Sequence, residues 1–282
     1  MCWTEITRIE HDRSELVYAS DCRDLEWSII APFVDVASKV GRPRSVNIRR
    51  VWEATQYIAA TGCQWRLLPR DFPAVSTVRY YFYKWRDQGL FELINQALSQ
   101  TCRLMSDRDA QPTGAVIDSQ SMKTTESGGP KGYDAGKKVK GRKRHIITDT
   151  QGNLLYVQVH KADMQDRQAA FEVIMACLLS FPGIAKIFAD AGYAGDKLAV
   201  SMLNLDPSPE IEIVKRPNHT NGFVVVARRW VVERTLAWLG RCRRLAKDWE
   251  KTIASSEAWT LIAAIRRSTR LIARKVKAGV GF

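Results

Sequence analysis

Residues 115–119 read Ala-Val-Ile-Asp-Ser, a short apolar run with an acid, Asp118, at its C-terminal end. Residues 185–190 (AKIFAD) repeat the pattern and end in Asp190. Short apolar runs bounded by turn signals are typical of buried β-strands. Three further runs of strand character lie at residues 144–149, 154–160 and 210–215.

Helical patterns alternate with these strands in the second half of the chain. Apolar residues recur at helical spacing in residues 165–180, 227–245 and 255–275, and a shorter helix is predicted after residues 191–195. The resulting order is β-β-β-α-β-α-β-α-α. This order predicts an α/β fold, a mixed sheet with flanking helices.

The first part of the chain is predicted to be entirely helical. Residues 47–61 form one helix with Gly62 as its C-cap, and residues 77–86 form another that Ser76 could cap. Prolines mark the turn between the two helices, as in a small helix-turn-helix-like domain. The alternative is an ordinary helical bundle that binds nothing.

Arg79 and Lys84 on the second of these helices are the residues we expect to contact DNA. The polar segment 106–113 contains Pro112 and marks the predicted domain boundary. We therefore predict a helical, DNA-binding domain at residues 1–110 and a second, α/β domain at residues 111–282.

The positive charge is concentrated in the second part of the chain. Residues 1–110 have a net charge of +1 and residues 111–282 have +12, for a total of +13. Such an excess favours a polyanionic partner, most simply a nucleic acid, although a basic protein without one is the alternative. The six cysteines form no CxxC pair, and neither a signal peptide nor a membrane span is evident, which predicts a cytoplasmic protein with reduced thiols.

The helix predicted at residues 227–245 carries one carboxylate, Glu233, among many arginines. In a helix, Arg229, Glu233 and Arg244 fall along one stripe. One interpretation is a surface glutamate in intrahelical ion pairs. The other is a metal ligand flanked by phosphate-binding arginines.

Asp118 and Asp190 favour the second interpretation of Glu233. A buried acid at a strand end is costly unless it is paired or bound to a metal, although strand-end aspartates often only cap turns. Two such acids on neighbouring strands and one on a packing helix form the oxygen-rich cluster that Mg²⁺ or Mn²⁺ prefers. Two ions in one active site would serve an in-line phosphoryl displacement.

At this point the sequence resembles a known family, the DDE transposases of bacterial insertion sequences, in the group of insertion sequences four and five. The resemblance extends over roughly residues 24–275 and rests on these segments: WSIIAPF, GCQWRLLPRDFPAVSTVRYYFYKW, AVIDSQSMKTT, GYDAGKKVKGRKRHIITDTQGNLL, HKADMQDRQAA, FADAGYAG and RRWVVERTLAWLGRCRRLAKDWE. It implies an RNase H-like catalytic domain with the triad Asp118, Asp190 and Glu233 as catalytic residues and metal ligands.

The chain departs from the family pattern around the third acid. Many members carry a Tyr-Arg-Glu-Lys signature there; Arg229 and Glu233 fit it, but Val226 and Gly240 stand at the tyrosine and lysine positions. Arg241, Arg243 or Arg244 could replace the lysine. We expect Arg229 and these three arginines to contact DNA phosphates.

A Gly- and Lys-rich segment, residues 127–144, is predicted to be a loop whose basic side chains contact DNA; the alternative is a solvated flexible loop. The expected phosphate contacts are Lys137, Lys138, Lys140, Arg142, Lys143 and Arg144. His145 and His160 flank predicted strands and are expected to be structural.

The resulting hypothesis is a transposase that binds terminal inverted repeats, cuts a phosphodiester bond and joins the freed 3′-OH to target DNA. Double-stranded DNA is the expected partner, in the nucleoid of a bacterial cytoplasm. Because two element ends must be joined, a homodimer or a higher synaptic assembly is expected. A non-catalytic DNA-binding repressor and an RNase H-like nuclease without strand transfer are the alternatives.

Overall fold

The structure, a computed structural model, describes residues 4–36, 44–203, 205–206, 208–214 and 229–279. The described helices are α1 (Glu5–His11), α2 (Asp24–Val34), α3 (Ile48–Thr61), α4 (Val75–Asp87), α5 (Leu90–Leu104), α6 (Asp166–Ser180), α7 (Asp196–Met202), α8 (Trp230–Leu239) and α9 (Ile253–Lys277). The described strands are β1 (Gly114–Lys123), β2 (Gly132–Asp134), β3 (Val139–Asp149), β4 (Leu154–Lys161), β5 (Lys186–Ala189) and β6 (Glu210–Ile213).

The six strands form one sheet in the order β2-β3-β1-β5-β6, and β4 also pairs with β3. Strand β1 is antiparallel to β3 and parallel to β5, and β5 is parallel to β6. The predicted mixed sheet with flanking helices is therefore confirmed. No helix in the described part of the chain has the length and apolar character needed to cross a membrane.

The sheet separates two apolar clusters because side chains along a strand alternate between its faces. On β1, Ala115 and Ile117 join the cluster that includes α6 and α7, whereas Val116 joins the other cluster. This second cluster also contains residues of α8, α9 and the N-terminal helices. Helix α8 packs on β1 and β3.

The N-terminal helices are joined to the rest of the protein through α9. Phe82 of α4 stacks on Trp259 of α9 with a centroid distance of 4.6 Å, and Trp65 lies 5.8 Å from the same ring. The predicted all-helical region before the sheet is confirmed, but its core is continuous with that of the sheet. Division of the chain at residue 110 remains a prediction.

Several predicted boundaries differ from the structure. Helix α3 has the predicted Gly62 C-cap, whereas α4 begins at Val75 with Ala74 at the N-cap position instead of Ser76. The predicted loop at residues 127–144 contains β2 and the first half of β3. This prediction was wrong because β1 extends to Lys123 and pairs with β3 through nine residue pairs, which adds basic residues to a strand.

The helix predicted at residues 227–245 is shorter than expected. Helix α8 ends at Leu239, and Arg243–Leu245 form a separate turn of 3₁₀ helix. This turn packs on the end of α3, where Gly62 has φ +70° and an added Cβ would lie 3.1 Å from the Arg243 backbone carbon. Residues 227–228, Val226, Lys215 and most of the predicted basic loop at 39–44 lie outside the described residues.

Candidate active site

Asp118 and Asp190 lie side by side at one edge of the parallel pairing. Val116 of β1 pairs with Phe188 of β5, and each acid is two residues farther along its chain. Side chains two residues apart point to the same face of a sheet. The register therefore directs both carboxylates to the face on which α8 packs. The sequence predicted that Asp118 ends its strand. In the structure it lies within β1, which is longer than predicted.

The environment of Asp118 disfavours its charged form. Burial raises the pKa of Asp118 to about 6, and the negative charge of Asp190 adds to the rise. A hydrogen bond of 2.7 Å from the Ser119 backbone N–H to Asp118 Oδ1 opposes this rise in pKa, as do the positive charges of Arg229 and Lys137. A cation at this carboxylate would hold it in the ionised form.

Asp190 also has a local structural role. Its Oδ1 accepts a 2.8 Å hydrogen bond from the Gly192 backbone N–H and caps the 3₁₀ turn Ala191–Tyr193. An added Cβ on Gly192 would lie 3.0 Å from Asp190 Oδ1 and 3.4 Å from Asp166 Oδ2. A glycine at this position therefore leaves room for carboxylate oxygens, and turn capping leaves the second oxygen of Asp190 available.

Glu233 forms the ion pair that the first interpretation predicted. Its Oε1 lies 3.1 Å from a terminal nitrogen of Arg229, one helical turn earlier, and the Glu233 side chain is 46% exposed. The positive charge of Arg229 also lowers the pKa of Asp118, so this arginine interacts with both Glu233 and Asp118. Within the described residues, no group of three His, Cys, Asp or Glu side chains is close enough to hold a metal ion. The structure thus pairs Asp118 with Asp190 but keeps Glu233 with Arg229.

Asp166 is an acid of this region that was not predicted as a site residue. At the start of α6, its Oδ1 accepts hydrogen bonds from Ser119 Oγ at 2.7 Å and from Lys143 Nζ at 3.1 Å, and it lies 3.3 Å from His145 Nε2. Although burial opposes ionisation, these contacts hold the pKa of Asp166 well below its usual range. Its only sequence signal was its place in the segment HKADMQDRQAA, because its partners come from two distant strands.

The two histidines lie within the sheet. His145 is fully buried, and its Nδ1 lies 3.1 Å from Nδ1 of His160. Burial lowers the pKa of both rings. Both therefore favour the neutral form, which suits a structural role.

Three of the basic residues expected to bind phosphate are buried in β3. Arg142 is fully buried and pairs with Asp248 at 3.0 Å. Lys143 bonds to Asp166, and burial lowers the pKa of Arg144 to about 10. Strand pairing thus places Arg142, Lys143 and Arg144 in the protein interior, which argues against the predicted contact with DNA but does not test it.

Arg244 is also unsuited to the predicted role. It is buried, it pairs with Glu250, and it donates to the carbonyl oxygen of Cys63 at 3.3 Å. These contacts argue against the predictions that Arg244 contacts DNA or replaces the family's lysine, but they do not test them. The helix ends before Arg244, which removes it from the stripe shared by Arg229 and Glu233.

The other residues predicted to contact DNA have exposed or half-buried side chains. Lys137 is exposed, and its Nζ donates to the Ser119 carbonyl oxygen at 3.2 Å, beside Asp118. Arg229 is half-buried beside Glu233. The remaining exposed residues of the set are Arg79, Lys84, Lys138, Lys140, Arg241 and Arg243. Their contact with DNA remains a prediction.

The protein thus has an α/β fold, and its paired carboxylates form an oxygen-rich candidate active site. Comparison with protein families supports this class: residues 109–266 match the family described as "Transposase DDE domain". Residues 22–95 match the family described as "Putative transposase of IS4/5 family". Since the first match covers more than half of the chain, the chain belongs to the DDE transposase family, and the resemblance inferred from its motifs is confirmed. Comparisons with curated proteins and with solved structures gave no match.

Proposed function

We propose that this protein binds the terminal inverted repeats of an insertion sequence and catalyses metal-dependent strand cleavage and strand transfer into target DNA. The observation that carries the proposal is the register of Asp118 and Asp190, each two residues beyond the same strand pair, in a chain of the DDE transposase family. Glu233 lies in the first turn of the helix that packs over β1.

The residues at this edge fit a hard divalent cation. The candidate ligands are all carboxylate oxygens, and burial has raised the pKa of Asp118 in a way that a cation would offset. Asp118, Asp190 and Glu233 would hold Mg²⁺ or Mn²⁺, with two ions in the active site. Such ions, when bound, activate the attacking oxygen and stabilise the leaving oxygen of an in-line displacement.

The surrounding side chains position these acids. The Ser119 backbone N–H fixes one oxygen of Asp118, and Asp166 fixes the Ser119 hydroxyl. Lys137 is suited to contact a phosphate oxygen because it is exposed and lies beside Asp118. Arg229 could move from Glu233 to a phosphate, which would free the glutamate to act as a ligand.

Double-stranded DNA is the proposed substrate and partner. The net charge of +12 in residues 111–282 supports binding to a phosphate backbone. We further propose that a homodimer or a higher assembly joins the two ends of the element. Gel filtration with and without end-containing DNA tests that part of the proposal.

The proposed chemistry is tested by incubating the purified full chain with labelled terminal repeats, target plasmid and Mg²⁺. We expect Asp118→Asn, Asp190→Asn and Glu233→Gln each to abolish cleavage and joining. Asp109→Asn, a change at an exposed acid outside this region, is the matched control and is expected to cut and join like the wild type. Wild-type activity in the Asp118→Asn variant would refute the assignment.

The same assay distinguishes the alternatives. DNA binding that needs neither Mg²⁺ nor the three acids would favour a non-catalytic repressor. Cleavage without joined products would favour an RNase H-like nuclease, whereas joined products support the transposase.

A further inference from the structure

The backbone pairing between β1 and β5 stops short of the paired aspartates. The last pair of the two strands is Val116–Phe188, and Asp118 and Asp190 each lie two residues beyond it. Backbone hydrogen bonds between these strands therefore do not fix the two carboxylates relative to each other. Mg²⁺ demands near-ideal octahedral geometry, so ligands on two strands must be held at a defined separation. A side-chain contact beyond the last pair is suited to supply it.

Asp166 lies between the two segments that carry these acids. Its Oδ1 accepts a 2.7 Å hydrogen bond from the Oγ of Ser119, the residue after Asp118. Its Oδ2 lies beside Gly192, at 3.4 Å from the position of an added Cβ, and the Gly192 N–H donates to Asp190. The two oxygens of one carboxylate thus face β1 on one side and the turn after β5 on the other.

The Asp166 carboxylate is itself held in place by β3. Lys143 Nζ lies 3.1 Å from its Oδ1 and also donates to the carbonyl oxygen of Met164 at 2.9 Å. His145 Nε2 lies 3.3 Å from the same carboxylate oxygen, and His145 is fully buried. Although burial opposes ionisation, these contacts hold the pKa of Asp166 well below its usual range. The carboxylate is therefore a charged and fixed group at neutral pH.

Asp166 is placed to orient the paired aspartates and not to bind the same cation. Successive side chains of a strand point to opposite faces, so Ser119 points away from the face that Asp118 occupies. Ile117, on the Ser119 face, packs in the cluster that includes α6, the helix that Asp166 begins. The Asp166 Oδ1 already has three partners from β1 and β3. Asp166 thus acts on Asp118 through Ser119.

We propose that Asp166 is a positioning residue that sets the separation of Asp118 and Asp190. It acts through the Ser119 hydroxyl on β1 and through the Gly192 turn after β5. The inference rests on the proposed function in that these two aspartates bind the divalent cation. Loss of a partner that orients metal ligands lowers metal affinity by about 10–100-fold. We expect a loss of that size when either the Asp166 carboxylate or the Ser119 hydroxyl is removed.

The test measures the affinity of the full chain for Mg²⁺ without DNA, from the rise in melting temperature across a Mg²⁺ titration. The variants are Ser119→Ala, Asp166→Ala and the double change. Each single change should raise the Kd for Mg²⁺ by about 10-fold or more. The double change should raise it no further than Asp166→Ala alone, because both changes break the same link.

Ser121→Ala is the matched control, because it makes the same change two residues along the same face of β1. The Ser121 Oγ donates to Asp134 at 2.6 Å, a bond like that of Ser119. Asp134 belongs to β2, however, which β3 and β1 separate from β5 in the sheet. The Kd of this variant for Mg²⁺ should equal that of the wild type. Arg142→Met controls for stability: it should unfold at a lower temperature yet bind Mg²⁺ like the wild type.

A purely structural role for Asp166 predicts a different result. Ser119→Ala and Asp166→Ala would then lower the melting temperature of the metal-free protein and leave the Kd for Mg²⁺ unchanged. That result, or a Kd raised as much in Ser121→Ala as in Ser119→Ala, would overturn the positioning role. Effects of the two single changes that multiply in the double variant would also overturn it, because the two groups would then act independently. Ser119→Ala keeps Lys143 and His145 paired with Asp166, and it tests the role even if Asp166→Ala does not fold.

The outcome separates this inference from the proposed function. A wild type whose response to Mg²⁺ is lost in Asp118→Asn, but is unchanged in Ser119→Ala, overturns only the positioning role. Raised Kd values in a protein that neither cuts nor joins DNA overturn only the proposed chemistry. A wild type that shows no response to Mg²⁺, or a response that Asp118→Asn retains, overturns both.

Discussion

Replacement of Asp118 by asparagine should make the metal-free protein more stable while it removes activity. Burial, together with the charge of Asp190, raises the pKa of Asp118 from the ordinary 3.8 to about 6. The folded protein therefore binds this proton more tightly than the unfolded chain does, and ionisation of Asp118 at neutral pH destabilises the fold. At about 1.4 kcal/mol for each tenfold change in proton affinity, the upper bound is about 3 kcal/mol.

The pH dependence of this gain has a defined sign. Well below pH 3.8 the carboxyl is neutral in both states, so the asparagine variant gains nothing. The gain grows as the pH rises through the range from 3.8 to about 6 and is complete above it. We expect up to about 3 kcal/mol at pH 7.5 and about half of that gain at pH 5, and the gain at pH 7.5 corresponds to a melting-temperature increase of up to about 5 °C.

Thermal and urea unfolding of the two proteins, in EDTA and at both pH values, measure the effect. Mg²⁺ should raise the melting temperature of the wild type, because a ligand that binds only the folded state stabilises it, and should do little for the variant. Asp109→Asn is the control: its stability and its response to Mg²⁺ should both equal those of the wild type. An asparagine variant that is less stable than the wild type at pH 7.5, or equally more stable at pH 5 and 7.5, would refute this account of Asp118.

Three further changes probe the interactions that support the site. Asp166→Asn should lower the free energy of unfolding by about 1.5–3 kcal/mol in urea titrations at pH 7, because Lys143 loses a charged partner. The loss should shrink as the pH falls below the ordinary aspartate pKa of 3.8, because the carboxyl of the unfolded wild type is then protonated while that of the folded protein stays ionised. Arg142→Met should cost about 3–5 kcal/mol by leaving Asp248 buried without its partner, and adding Asp248→Leu should restore much of that loss. Gly62→Ala should cost about 1 kcal/mol or more in the same titrations, because φ is +70° and the new Cβ meets backbone; no loss would contradict that geometry.

Short local patterns predicted the two strands that lead to Asp118 and Asp190, and the order of strands and helices predicted the mixed sheet. Each apolar run before Asp118 and Asp190 has the length and composition of a buried strand, so strand type followed from the sequence. That these strands are parallel neighbours, with equal offsets to the acids, comes from pairing between segments about 70 residues apart. The family resemblance implied that the two acids belong to one triad, but not this register, which periodicity alone does not set.

Basic residues were predicted less well because their partners are distant in the chain. Arg142 looks like part of a solvated lysine-rich loop, yet Asp248, 106 residues later, makes its burial possible. Arg244 likewise depends on the carbonyl of Cys63, 181 residues earlier. A buried arginine and a phosphate-binding arginine have the same local sequence signature, and only the tertiary partner distinguishes them.

The Arg229–Glu233 ion pair is compatible with both interpretations of the glutamate because it is weak. The Glu233 side chain is 46% exposed, and ion pairs of that exposure contribute about 0–1 kcal/mol. In the proposed function, a divalent cation beside Asp118 and Asp190 would attract Glu233 with twice the charge of Arg229, and a DNA phosphate would offer Arg229 a bidentate replacement. Exchange of partners therefore costs little and gains two charged contacts. The ion pair therefore holds Glu233 and Arg229 close to the positions that the proposed chemistry requires, and bound DNA and metal would separate the two side chains.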